Sequence, residues 1–396
     1  MNTALSRPLG YCASQVDAPN MGLREKNLLS LSYGNIIQKD IAGNDGLLPE
    51  SFENYNVVKS GDTVLRLTDL QNDQRSLRVG FVKERGIITS AYVTLRPHND
   101  VDPRFFSYVL KSMDFRKDFY ALGAGVRQSL KFDELKRVQI HLPSPALQRT
   151  IADYLDKETT RIDSLITKKR EMIGLLRERF SSEIENALNN GHFRKSRLRW
   201  CSIRIADGTH GTYQRQVSGY PLLSSKNLRN GCVTTSEDES FISESDYREI
   251  SKTCGFRPGD VLYGVIGGSI GNVARFQDGD PTAFQRSVAA VSPSELLLAD
   301  FLYLVSLGRD FQDQLRLAAN SSAQAGVYLG ALGDIAIPLP SKPEQEQIVY
   351  FLMHLLRSQE SVENAMIRQI DLFQKQRQAL VIAAVTGEIE VSGEAA

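Results

Sequence analysis

Cysteine is scarce in this chain and forms no pattern. Cys12, Cys201, Cys232 and Cys254 include no CxxC pair, and His98, His141, His192, His210 and His354 stand near none of them at zinc-ligand spacing. Neither a disulfide scaffold nor a zinc module is expected, and a reducing cytoplasm is the expected compartment. Also missing is any apolar run of the ~18 residues a bilayer crossing needs. The first residues, MNTALSRPLGYCASQ, lack an apolar stretch behind a basic start, which argues against secretion. Neither sign of charge is in excess, since 47 Lys+Arg balance 47 Asp+Glu, so the global basic footprint of many nucleic-acid binders is absent. One local exception runs from His192 to Arg204, where Arg194, Lys195, Arg197, Arg199 and Arg204 meet no acid and predict a basic patch. Gly 29 and Pro 14 are too few for a disordered or collagen-like chain, and 396 residues exceed one ordinary core. Two or three folded domains are expected.

Catalytic signatures are missing as well. There is no GxxxxGK[ST] loop and no Asn/Asp-Pro-Pro-aromatic motif of a methylating enzyme. The glycine cluster from Gly264 to Asn272 lacks the acidic residue about 20 positions on that a dinucleotide site needs, and it reads as a strand-turn. Glu134 and Lys136 have the ExK shape of a nuclease half-motif with no upstream Pro-Asp pair, and no glycine elbow supports a hydrolase triad.

What the chain does have is a long internal repeat. QIHLPSPALQRTIADYL at 139–155 lies over AIPLPSKPEQEQIVYFL at 336–352, matching Ile140 to Ile337, Leu142-Pro143-Ser144 to Leu339-Pro340-Ser341, Gln148 to Gln345, Ile151 to Ile348 and Leu155 to Leu352. Upstream, Gly61-Asp62 matches Gly259-Asp260, and Pro97 with Phe105 matches Pro293 with Phe301. Near-constant offsets over so long a stretch mean two domain-sized copies, not a solenoid of short repeats. Each copy opens with β-type runs: 62–67 and 87–95 in the first, 260–266 and 287–291 in the second. A helical stretch follows at 103–119 and at 296–317, and an LPS turn then leads into a long helix.

The long helices are the best-determined elements. Pro143 and Pro145 favour a start near Ala146, and Gly191 is the expected stop. Between them runs an apolar seam of Ile151, Leu155, Ile162, Leu165, Ile166, Ile173, Leu176, Phe180, Ile184 and Leu188. The second helix, opened by Pro343 and closed by Gly387, carries Ile348, Leu352, Leu355, Val362, Met366, Ile370, Phe373, Leu380 and Ala384. Two seams of equal length in one chain are expected to pair with each other in antiparallel fashion. The expected fold is therefore α+β: two duplicated strand-rich domains joined by two long helices in an intramolecular coiled coil. The expected segments are 1–141, 142–191, 192–338 and 339–396, alternating domain and helix.

LPSPALQRTIADYLDKETTRIDSLITKKREMIGLLRERFSSEIENALNNG at 142–191 resembles the central conserved region of the specificity subunit of type I restriction-modification systems. The elements that carry the likeness are Gln148-Arg149-Ile151-Ala152-Leu155-Asp156 and Ile162-Asp163-Leu165-Ile166. The C-terminal stretch from Leu339 resembles that family's second conserved region, with Glu344-Gln345-Ile348 at its entry and AAVTGEI at its end. The resemblance implies two target-recognition domains, each reading one half of a bipartite, asymmetric double-stranded DNA site, with the helix pair setting the unread spacer. It also implies a non-catalytic subunit with no cofactor of its own. Two methyltransferase subunits would hold S-adenosylmethionine, and two motor-nuclease restriction subunits would use ATP and Mg. The alternative is a coiled-coil scaffold whose globular ends bind protein, for which the zero net charge speaks.

Base edges are read by Arg, Lys, Asn and Gln, and phosphates by hydroxyls and main-chain amides. Polar loops beside predicted strands supply such groups in both copies. In the first they are Arg66, Thr68, Gln71 and Asn72, then Arg127, Gln128, Ser129 and Lys131. In the second they are His210, Thr212, Tyr213 and Arg215, then Lys226, Asn227 and Arg229, then Gln285, Arg286 and Ser287.

Overall fold

The computed structural model describes residues 5–39, 51–70, 77–122, 129–236, 239–277, 281–319 and 325–391. The chain forms two compact units, one of residues 1–169 with 367–396 and the other of residues 170–366, so each contains part of both long helices.

In the first unit an antiparallel sheet has the strand order Ala13–Gln15, Val93–Pro97, Thr63–Leu65, Val79–Phe81. A separate pair joins Leu5–Pro8 to Gln139–Leu142, tying the start of the chain to the strand that enters the long helix. In the second unit the sheet runs Ser202–Asp207, Val288–Pro293, Val261–Gly264, Val273–Arg275, the same order, and Lys195–Arg197 pairs with Ala336–Pro338. The duplication seen in the sequence is thus a duplication of topology. What hangs on this frame differs. The first unit adds the hairpin Leu29–Ser32 with Asn35–Gln38 and the pair Asn56–Val58 with Gly86–Ile88. The second adds a sheet of Phe241–Ile242, Tyr220–Leu223 and Ala283–Phe284, with the helix Glu244–Cys254 against it.

The shared landmarks are structural. Gly61 and Gly259 have φ of +94° and +96°, a left-handed turn that glycine adopts without strain. The aspartate after each closes the turn: Lys59 N donates to Asp62 Oδ2 at 2.9 Å, and Arg257 N to Asp260 Oδ2 at 2.8 Å. Both carboxylates are buried and satisfied again from the neighbouring strand, Asp62 by a two-pronged Arg96 and Asp260 by the Ser292 hydroxyl. Gln148 and Gln345, buried at 1% and 0% exposure, are clamps. Gln148 Oε1 accepts from Asp102 N at 2.8 Å while its amide donates to Pro143 O. Gln345 Oε1 accepts from Leu298 N at 2.9 Å while its amide donates to Leu296 O and Pro340 O. Each therefore ties the long helix to the backbone at the start of the domain helix, Pro103–Phe115 or Ala299–Leu307.

The long helices run Pro145–Asn189 and Lys342–Thr386. They pair antiparallel within each unit. Arg377 meets Asp163 in the first, and Arg177 meets Glu363 in the second. Ile151, Leu155, Ile162, Ile166, Phe180, Ile184, Leu188, Leu352 and Ala384 are buried as the seam predicts, whereas Leu165 and Val362 are exposed. Three local expectations are corrected. The residue in left-handed conformation after the first long helix is His192, φ +49°, and not Gly191. The run 87–95 is two strands, because the chain turns with Tyr92 N donating to Thr89 O. The helical stretches 103–119 and 296–317 each break in two, at Lys117 with φ +64° and at Gly308.

Candidate functional site

In the second unit the backbone stitches three separated loops together. Thr209 N donates to Phe284 O at 2.8 Å and Arg286 N donates to Thr209 O at 2.9 Å. Gln285 N donates to Leu223 O, and Ser225 N to the Ser287 hydroxyl. The segments carrying His210, Lys226 and Arg286 thereby converge beside the ends of the central strands. His210, Thr212, Arg215, Lys226, Arg229 and Arg286 are exposed. Their freedom differs. His210 bonds Asp207 at 2.6 Å, Arg215 donates to Leu222 O and Arg229 to Lys226 O, and Lys226 lies 3.6 Å from Glu239. Among the described residues no partner holds the Arg286 guanidinium. Tyr213, Gln285 and Ser287 are half-buried, and the Tyr213 hydroxyl bonds Thr209 Oγ1 at 2.9 Å.

Asn227 is not a surface reader. It is 3% exposed, its Oδ1 accepts from Ser224 N, and its amide donates to Thr234 O and to Glu239 Oε1. Burial raises the Glu239 carboxyl, but the bonds from Asn227 and Ser236 and the charge of Lys226 hold it below its ordinary value. Asn227 therefore shapes the loop that carries Lys226 and Arg229. The basic patch expected at 194–204 is largely cancelled: Lys195 pairs with Asp310, Arg197 and Arg199 pair with Asp334, and Arg204 donates to Cys254 O and Gly255 O.

In the first unit Leu130 N donates to Leu67 O at 2.9 Å, which brings the loop of Arg66 and Thr68 against that of Ser129 and Lys131. Thr68, Ser129 and Lys131 are exposed and Arg66 is half-buried. Gln71, Asn72, Arg127 and Gln128 lie outside the described residues.

Two features escaped the residue-type reading. Val327 N donates to Val265 O at 2.9 Å in the same manner as Leu130 to Leu67, so the segment after Gly264 holds in the second unit the place of Arg66–Asp69 in the first. The Gly61-Asp62 to Gly259-Asp260 offset pointed there. As expected for the glycine cluster, it forms a strand, a 3-10 turn at Gly267–Ser269 and a strand. The other feature is Arg78, fully buried beneath the first loop; nothing in its sequence context distinguishes it from a surface arginine. Among the described residues no group of His, Cys, Asp or Glu could hold a metal ion, and no helix is long and apolar enough to cross a membrane.

The family model of the type I restriction modification DNA specificity domain matches residues 78–174 and 212–372. The chain is 23% identical over 329 residues to the type I restriction enzyme StySPI specificity subunit of Salmonella potsdam, covering 74% of this chain and 67% of that one. It is 23% identical over 362 residues to the MjaVIII specificity subunit of Methanocaldococcus jannaschii, covering 85% and 81%. A solved chain, from work on complex assembly and conformational transition of the type I R-M system, shares the fold with a TM-score of 0.63 at 17% identity, over 97% of this chain and 98% of that one. With a family match spanning more than half of its residues and falling once in each copy of the repeat, the chain belongs to the specificity subunits of type I restriction-modification systems, which recognise the DNA target.

Proposed function

We propose that residues 1–141 and 192–338 are target-recognition domains that read the two halves of a bipartite, asymmetric DNA site. The supporting observation is that one frame, repeated, carries two different sets of polar loops, with Arg66, Thr68, Ser129 and Lys131 on the first and His210, Thr212, Arg215, Lys226 and Arg286 on the second. Two readers of different sequences need the same support and different surfaces. The helix segments 142–191 and 339–396 set the unread spacer, as dimer spacing sets half-site separation in other DNA binders. Exposed apolar side chains on these helices, among them Met172, Leu175, Ile367 and Leu372, supply surface for docking two methyltransferase subunits. The chain carries no catalysis: S-adenosylmethionine belongs to those partners, and ATP with Mg to two restriction subunits. Purified chain mixed with DNA and labelled S-adenosylmethionine is expected to transfer no methyl group until its methyltransferase partner is added. Transfer by the chain alone would refute this division of labour.

A further inference from the structure

Arg78 is 0% exposed, and the two terminal nitrogens of its guanidinium donate to the main chain of one loop. Nη1 donates to Arg66 O at 3.0 Å and to Thr68 O at 2.8 Å, and Nη2 donates to Asp69 O at 3.1 Å. Nε donates to the Tyr120 hydroxyl at 3.0 Å, and the Tyr120 ring lies 5.4 Å from the guanidinium carbon. The backbone of Arg78 is fixed too, its N donating to Asp114 Oδ2 at 2.6 Å and its carbonyl accepting from Arg66 N at 2.9 Å. A hydrophobic side chain would suffice merely to cover this loop. A planar fork bonded to the carbonyls of Arg66, Thr68 and Asp69 fixes its shape, including Asp69 at φ +57°, a conformation that non-glycine residues rarely hold unaided.

The arrangement belongs to the reader and not to the frame. The Gly-Asp turn, the glutamine clamp and the strand order recur in both units, whereas the position equivalent to Arg78 in the second is Asn272, whose carbonyl accepts from Gly264 N and whose amide donates to Ser225 O. We propose that Arg78 is a positioning residue for recognition of one DNA half-site: without touching DNA, it sets the main chain from which Arg66 and Thr68 project. The proposal rests on the DNA-recognition reading above.

The test uses the full chain assembled with its methyltransferase subunits and a panel of duplexes with single-base changes in either half-site. Arg78→Lys keeps the charge but cannot reach the same carbonyls and Tyr120 together, and Arg78→Met removes the donors. Tyr120→Phe, a milder change, removes one bond that orients the guanidinium. Discrimination between cognate and single-base variant duplexes is expected to fall by about tenfold in one half-site for Arg78→Lys, and by less in the same half-site for Tyr120→Phe. The other half-site and the affinity for unrelated DNA should stay at the wild-type level. Unchanged discrimination in folded variants overturns the proposal, as does a loss shared by both half-sites, which would make Arg78 a residue of general stability. If Arg78→Met fails to fold, the lysine and Tyr120 variants decide. A wild-type complex that discriminates at no base in either half would instead overturn the recognition reading itself.

Discussion

Lys111 shows how a single residue can work against the fold that contains it. Half-buried on the helix Pro103–Phe115, it lines a cavity of about 80 Å³ with Tyr108, Asp163 and Arg377, and its Nζ lies 5.5 Å from the centre of the Tyr108 ring. Burial, then the charges of Arg377 and Lys83, push its pKa down to about 8 against the opposing pull of Asp156 and Asp163. A lysine whose folded pKa is depressed holds its proton more tightly when unfolded, so stability rises with pH from about 8 to the ordinary lysine value near 10.5, and below 8 the penalty is fully present. Lys111→Met is therefore expected to stabilise the first unit by about 1–2 kcal/mol at pH 7, discounted for the partial exposure of the side chain. The advantage should shrink in urea melts approaching pH 10, and a gap that stays constant with pH would contradict it. At this scale the sequence informs least. Asn227 and Arg286 are equally plausible readers by residue type, and only the backbone around them decides that one is turned inward on Ser224 N and Thr234 O while the other is left at the surface.

Among the elements, those with long periodic patterns were legible and the short ones were not. The two long helices follow from apolar spacing between prolines and a terminal signal, and both begin within a residue or two of the expected place. The strands among the described residues are two to six residues long, so the turn inside 87–95 has no compositional marker strong enough to show. The glutamines that mark the repeat explain their own recurrence, because each fills a buried slot between two backbones. Gln148→Ala and Gln345→Ala, which strand Asp102 N and Leu298 N without an acceptor, are each expected to cost about 2–3 kcal/mol by chemical denaturation, each in its own unit. A loss below about 0.5 kcal/mol would mean that water replaces the clamp. In the second unit Arg177 meets Glu363, so in that antiparallel register the segment matching 174–180 is 360–366. Removing both takes out roughly 10 Å of helix while keeping the seam in phase, and should shorten the unread spacer by about three base pairs with both half-sites unchanged. Sequencing of the methylated sites measures it, and an unaltered spacer would show that the helices do not set the distance.

For the whole molecule, the repeat carries both the fold and the division of function. Positions that recur between the copies, Asp62 with Asp260 and Gln148 with Gln345, are the ones the frame needs, and the structure accounts for each by a buried bond. What does not recur, from the hairpin Leu29–Gln38 to the helix Glu244–Cys254, is where the two surfaces diverge, and divergence leaves no periodic signal for a single sequence to display. The central claim is that the two surfaces read independently. The most direct measurement replaces residues 1–140 by the equivalent domain of another specificity subunit and maps the methylated motif of the host genome. One half of the motif should change to that of the donor, while the other half and the spacer stay as they were. A motif altered in both halves, or in neither, would contradict the account.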